Sequence, residues 1–194
     1  DGLDVGLAGP AVVIGRGARG WTDRMARWVI VVVAFGLGLA AWAQWPDSPL
    51  PGEVHVDHVV VLKSARLLVL YEGDTRLRSY PVSLGGQPVG AKERAGDGRT
   101  PEGHYVIDYR NERSSFHRAL HVSYPSAADR SRAAAAGADP GGLVMIHGLR
   151  NGLGWLGRLH RALDWTNGCI AVTDAEIDEI ARVVPDGTPI ELRP

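Results

Sequence analysis

The stretch DWTNGCIAVTD, Asp164–Asp174, holds the only cysteine of the chain, Cys169, between an Asn-Gly turn and a short apolar run. A lone cysteine is by default a small apolar filler. Its setting here argues otherwise. Thr166-Asn167-Gly168 reads as a tight turn and Ile170-Ala171-Val172 as a strand, so the thiol falls where a strand leaves a turn. A turn of this kind aims successive backbone N–H groups into one concavity, the arrangement that receives an oxyanion. A free thiol with a reference pKa of about 8.5 is only slightly ionised at neutral pH, so nucleophilic chemistry at Cys169 calls for a nearby base.

The best candidate base is His147, in VMIHGL, at the end of an apolar strand and just before Gly148. An imidazole is matched to proton transfer near neutral pH. The other histidines suit that role less. His55 and His58 lie in or before the first strand, His104 and His121 fall in strand segments where a hydrogen-bonded structural role is the default, and His160 reads as surface loop. His117 and His121 are spaced like zinc-protease ligands, yet Arg118 stands where the glutamate of such a site would be, so no metal site is expected.

Outward from these motifs the pattern is mainly β. Short apolar runs at Val59–Leu62, Leu67–Tyr71 and Thr75–Val82, with turn signals at Lys63-Ser64 and Gly73-Asp74, predict a meander. Further strands are predicted at His104–Tyr109, Ala119–Ser123, Leu143–His147, Cys169–Val172 and Ile190–Leu192. Two short helices are predicted. One is the alanine-rich Ser126–Ala136; the other begins at Thr173 with Glu176 at capping-box spacing and gathers Ile177, Ile180, Ala181 and Val184 on one face.

At 194 residues, 45% of them hydrophobic, the chain suits one domain with a sizeable core. Its 21 basic and 22 acidic residues nearly cancel, and no basic cluster is interleaved with aromatics, so nucleic acid is not an expected partner. A single cysteine permits no internal disulfide. The N-terminus is more informative about location. WVIVVVAFGLGLAAWA, Trp28–Ala43, is uncharged and follows Arg16, Arg19, Arg24 and Arg27, which predicts a cytoplasmic N-terminus and export of the remainder. Ala41-Trp42-Ala43 fits a signal-peptidase site, and a retained membrane anchor is the alternative. Met25 opens a compact signal peptide of its own, so residues 1–24 read as upstream read-through or the product of a truncated gene. The expected organisation is 1–45 as read-through plus signal peptide or anchor, a proline-rich linker at 46–53, and one domain at 54–194.

GDGRTPEGHY (Gly96–Tyr105), MIHG (Met145–Gly148) and TNGCIAVTD (Thr166–Asp174), in that order, resemble the L,D-transpeptidase catalytic domain, the YkuD-like family, and in particular its YafK-like branch. The resemblance implies a β-sandwich or barrel with a few short peripheral helices. It implies an exported, periplasmic enzyme that needs no cofactor and acts on peptidoglycan stem peptides through a thioester at meso-diaminopimelate, resolved by an amine. A hydrolase releasing a diaminopimelate-linked outer-membrane lipoprotein is the first alternative, and a non-catalytic wall-binding module the second. Carried over by motif, Cys169 is the nucleophile, His147 the general base, Gly148 the residue packed beside that base, and Thr166, Asn167 and Gly168 the oxyanion turn, with the N–H groups of Gly168 and Cys169 as donors. Ser115, Phe116 and His117, from a segment bordering the groove, and Arg150 and Trp165, from a glycine-, arginine- and tryptophan-rich lid, are the expected substrate contacts, with Arg158 and Arg161 as further candidates for substrate carboxylates. Two departures stand out: asparagine replaces the family histidine at position 167, and Ala171 replaces a common arginine.

Overall fold

The computed structural model describes residues 17–45, 48–51 and 54–194. The first sixteen residues of the segment read as read-through, and part of the linker, lie outside the described residues. The described residues fall into two units, divided between Trp42 and Ala43.

The first unit is a helix, α1 (Gly17–Ala43), whose Arg24–Ala43 stretch is long and apolar enough to cross a membrane. It extends the apolar run by a helical turn on its basic side. Trp28, Ile30, Phe35 and Leu37 are all exposed on it.

In the second unit one sheet of eight strands carries the fold. β1 (His58–Leu62), β2 (Leu67–Glu72) and β3 (Thr75–Pro81) form the expected antiparallel meander. β4 (Gly103–Ser114) and β5 (His117–Val122) make a long hairpin. β6 (Met145–His147) lies antiparallel to β5, β7 (Ile170–Ala171) parallel to β6, and β8 (Thr188–Arg193) slots between β1 and β4, giving the order β3-β2-β1-β8-β4-β5-β6-β7. The chain just past β3 then returns to β7. Ser83 and Ala171 exchange both backbone hydrogen bonds, at 2.9 and 2.8 Å, and Gly86 and Thr166 continue the contact through N–H to C=O bonds. Joining the two ends of the sheet curls it toward a barrel and removes the free edge that β7 would otherwise present.

Alternation within the strands decides what faces inward. Val59, Val61, Leu68, Leu70, Ile107, Leu120, Val122, Ile146, Ile170, Ile190 and Leu192 fill the core. Two helices close over the sheet. α2 (Ala127–Ala135) starts at Ser126, and α3 (Asp174–Val183) at Thr173; each carries a reciprocal capping box, with Asp129 and Glu176 respectively. The predicted apolar face of α3 is buried throughout, Ile177 and Ile180 completely. Residues read as linker also contribute: Leu50 joins the core, its N–H donates to Glu179 and its carbonyl accepts from Arg182.

Two local expectations are corrected. The strand predicted from Leu143 begins at Met145, because Leu143 sits in the left-handed region (φ 55°) and turns its carbonyl out of the ladder. His160 is not on a surface loop. It is buried at 8% exposure in a 3-10 stretch, Gly154–Ala162, broken at Gly157 (φ 46°, ψ −130°).

Candidate active site

Parallel pairing of β6 with β7 sets Ile146 opposite Ile170 and His147 opposite Ala171. Ile146 and Ile170 both point into the core, so by the two-residue period His147 and Cys169 project together from the opposite face. Both line one cavity of about 740 Å³.

The thiol is anchored by backbone. Met145 N–H donates to Sγ at 3.4 Å, and the S–H donates to the Leu143 carbonyl at 3.6 Å. Leucine in a left-handed conformation is thus used to bring its carbonyl to the thiol. The His147 ring is fixed as well. Its Nδ1 lies 2.7 Å from the Gly148 carbonyl, an acceptor only, so Nδ1 carries the proton and Nε2 keeps the lone pair. Phe116 packs against this ring with centroids 4.6 Å apart, and Trp165 meets it edge-on at 5.8 Å. Burial pushes the His147 pKa below the usual histidine value, partly opposed by the Gly148 hydrogen bond. Burial pushes the Cys169 thiol up, opposed by the Met145 N–H and by the charge of Lys92. At rest the cavity therefore holds a neutral thiol and a neutral imidazole, each hydrogen-bonded to backbone.

The turn before Cys169 is internally wired. Thr166 Oγ1 donates to the Cys169 carbonyl at 2.7 Å and accepts the Gly168 N–H at 3.1 Å. Gly168 N–H, expected as an oxyanion donor, is thereby committed inside the turn, because a threonine hydroxyl two residues back competes for it. Gly168 has φ +120°, and a Cβ there would collide with the Arg99 carbonyl, so no other residue fits. Gly148 is required for a different reason: a Cβ would stand 2.6 Å from Asp174 Oδ1, which accepts the Leu149 N–H at 2.7 Å.

The expected substrate contacts separate into two groups. Phe116, Arg150 and Trp165 line the cavity, together with Asn167 and Thr166. Ser115 and His117 do not. Ser115 is exposed in the β4–β5 turn, and His117 Nε2 contacts both carboxylate oxygens of Asp178 at 3.0 Å. Arg161 pairs with Glu176 of α3 at 2.5 Å, and Arg158 lines a separate cleft, so Arg150 is the arginine at this cavity. His121 stacks on Tyr109 and contacts Asp108, and His104, paired with Glu191 across β4 and β8, is mostly exposed with its Nε2 3.8 Å from the Glu191 carboxylate. Ala171 is fully buried between Ser83 and β6, where a guanidinium has no room.

Several site residues escaped the sequence reading. Leu149, Leu153, Leu156, Leu159 and Leu163 make the opposite wall strongly apolar. His160 lines the cavity too; Trp165 Nε1–H donates to its Nδ1 at 3.5 Å, Ser83 Oγ bonds its carbonyl at 3.1 Å, and burial first, then the charge of Arg161, pulls its pKa down to about 4. Asp164 ties this wall to the barrel by accepting the Leu84 N–H and the Arg66 guanidinium, both at 2.8 Å.

Comparison with known proteins places the chain in a family and a fold. Residues 56–192 match the family model described as YkuD, L,D-transpeptidase catalytic domain. The Escherichia coli (strain K12) protein named "Putative L,D-transpeptidase YafK" is 30% identical over 135 residues, covering 66% of this chain and 46% of that protein. The chain thus spans about half the length of the curated relatives it matches. Among solved structures, the helical cell shape determining protein Pgp2 from Campylobacter jejuni superposes with a TM-score of 0.55 at 21% identity, covering 80% of this chain and 54% of that one. Bdellovibrio bacteriovorus Bd1075 gives 0.51 at 22% identity, covering 72% and 48%. Both have this fold.

Proposed function

The chain belongs to the YkuD family of L,D-transpeptidase catalytic domains, and from that premise we propose that it is an exported cysteine acyltransferase that remodels peptidoglycan. The observation that carries this reading is that His147, at the end of β6, and Cys169, the residue just before the parallel β7, line one cavity.

In this mechanism His147 Nε2 takes the proton of Sγ as the sulfur attacks the carbonyl at the L-centre of meso-diaminopimelate, the third stem residue. The Cys169 N–H is the turn donor assigned to the oxyanion, since Gly168 N–H is held by Thr166. Collapse breaks the bond to D-alanine, the imidazolium returns its proton to the leaving amine, and a thioester remains. An acceptor amine, deprotonated by His147, then displaces sulfur. The leucine wall favours an amine over free water at this step, because it offers few polar groups to hold a water molecule. Arg150, the arginine lining the cavity, is assigned to a substrate carboxylate. The apolar stretch of α1 serves as export signal or membrane anchor, which leaves the barrel on the periplasmic side.

Mass spectrometry of muropeptides, after incubating the chain with tetrapeptide-stem and lipoprotein-linked sacculi, tests this reading against Cys169→Ala. New 3-3 dimers or lipoprotein adducts that need Cys169 support it. Release of lipoprotein peptide without new cross-links would instead make the enzyme a hydrolase, and no change on either substrate would favour a wall-binding module.

A further inference from the structure

The glycine-rich segment between β3 and β4 places a buried ammonium behind the nucleophile turn. Lys92 is 5% exposed, and its Nζ donates to the Arg94 carbonyl at 3.0 Å and to Asp97 Oδ1 at 2.8 Å. Asp97 is held in turn by the N–H groups of Glu93, Arg94 and Arg99. Lys63 makes an instructive contrast. It is equally buried, but its three protons meet three acceptors, Gly90 O, Thr100 O and Glu102 Oε1, all on the loop that it pins. Lys92 has two such acceptors for three protons, and its remaining side faces the turn: a Cβ built on Gly168 would stand 3.8 Å from Nζ. Burying an ammonium costs several kcal/mol before its partners offset it, and tethering this loop to Asp97 does not by itself call for a charge beneath the residue that precedes the only thiol.

We propose that Lys92 is a positioning residue of the nucleophile turn, whose positive charge, fixed beneath Gly168 by Asp97, favours negative charge as it develops at Cys169. The proposal deepens the reading of Cys169 as a nucleophile and rests on it. Its physical basis is charge at short range in a water-poor setting, where a fixed cation acts without reorganising. Lys92 already opposes the upward push of burial on the thiol. Asp97 keeps its own charge: partial burial works against ionisation, yet the Lys92 ammonium and the backbone N–H groups hold its carboxyl down at about 2. The other titratable or charged groups facing the thiol's cavity are His147 on β6, Arg150 after it and His160 on the 3-10 stretch. None of them lies on the Lys92 segment.

The chain has one cysteine, so its alkylation by iodoacetamide, followed by intact mass across neutral and alkaline pH, reports Cys169 alone. Lys92→Met is expected to raise the midpoint of the pH–rate curve by about half a unit or more, and Lys92→Arg to restore it. Asp97→Asn is expected to lower it, since the cation then lacks its counter-charge. A merely structural pair would not move the midpoint in opposite directions. Melting curves identify which variants fold; should Lys92→Met not fold, a lowered midpoint in Asp97→Asn supports the proposal and an unchanged or raised one overturns it. Equal midpoints in folded variants, or shifts of the same sign, also overturn it. This readout needs no turnover, so it is distinct from failure of the acyltransfer reading, which the muropeptide experiment detects.

Discussion

Met145 and His147 stand on β6, whose backbone is bonded on both sides, and Cys169 directly precedes β7, whereas Leu153, Leu156 and Leu163, lining the same cavity, stand on a segment held by a few side chains. The strand wall is continuous with the core through Ile146 and Ile170. The loop wall depends on Asp164 reaching Leu84 and Arg66, Arg161 reaching Glu176, and Ser83 bonding the His160 carbonyl. The difference teaches a division of labour. The atoms proposed to react need fixed geometry and sit on or directly beside the ladder, while the wall proposed to select a substrate can vary at less cost to the fold.

The sharpest way to break this division is to remove the dyad. Cys169→Ala is expected to abolish turnover, and His147→Gln to lower kcat by about 10²–10⁴ with little change in KM, measured on a purified stem tetrapeptide. The wild-type acid limb should fall below the usual histidine value of 6.5, because a general base at His147, as proposed, acts only when neutral, and burial lowers its pKa.

A pH titration of stability probes the loop wall. His160 binds a proton near 6.5 when unfolded but only near 4 when folded. The unfolded chain then holds more protons between those values, so stability falls as pH drops through that window, by about 3 kcal/mol for this group. His147 adds a contribution of the same sign. Denaturant unfolding near each end of the window should show the slope, and His160→Gln should flatten it.

Smaller effects sharpen the contrast further. Asp164→Ala leaves the Leu84 N–H without its acceptor and should cost about 1–3 kcal/mol in unfolding free energy, raising KM more than it lowers kcat. An equal loss in both parameters would mean that the two walls do not act separately. Leu163→Ser, at a 75% exposed position, should change stability by less than about 0.5 kcal/mol while raising KM for the stem peptide.

The strand wall was legible in the sequence because its signals are local. Alternation gave the meander, Thr173 and Glu176 marked the start of α3, and an Asn-Gly turn before Cys169 with a glycine after His147 picked out the dyad candidates. Of the loop wall, the sequence shows the lid segment with Arg150 and Trp165 but neither its leucine lining nor the burial of His160, for reasons that are equally physical. Gly154 and Gly157 break Gly154–Ala162, so its apolar spacing does not read as one helix, and the burial of His160 depends on Ser83, a partner 77 residues away in sequence, as well as on the nearby Trp165. Leu143 in a left-handed conformation has no signature in an apolar run. Nor does the Thr166 hydroxyl announce that it will capture the Gly168 N–H.

The central claim is that the strand wall performs covalent chemistry through Cys169. Intact-protein mass spectrometry of the chain, quenched in acid soon after mixing with a purified stem tetrapeptide, tests it most directly. The account predicts an adduct of the stem acyl group less D-alanine, localised to Cys169, absent from Cys169→Ala and slow to form in His147→Gln. No adduct under single-turnover conditions, or one that persists in Cys169→Ala, would contradict it.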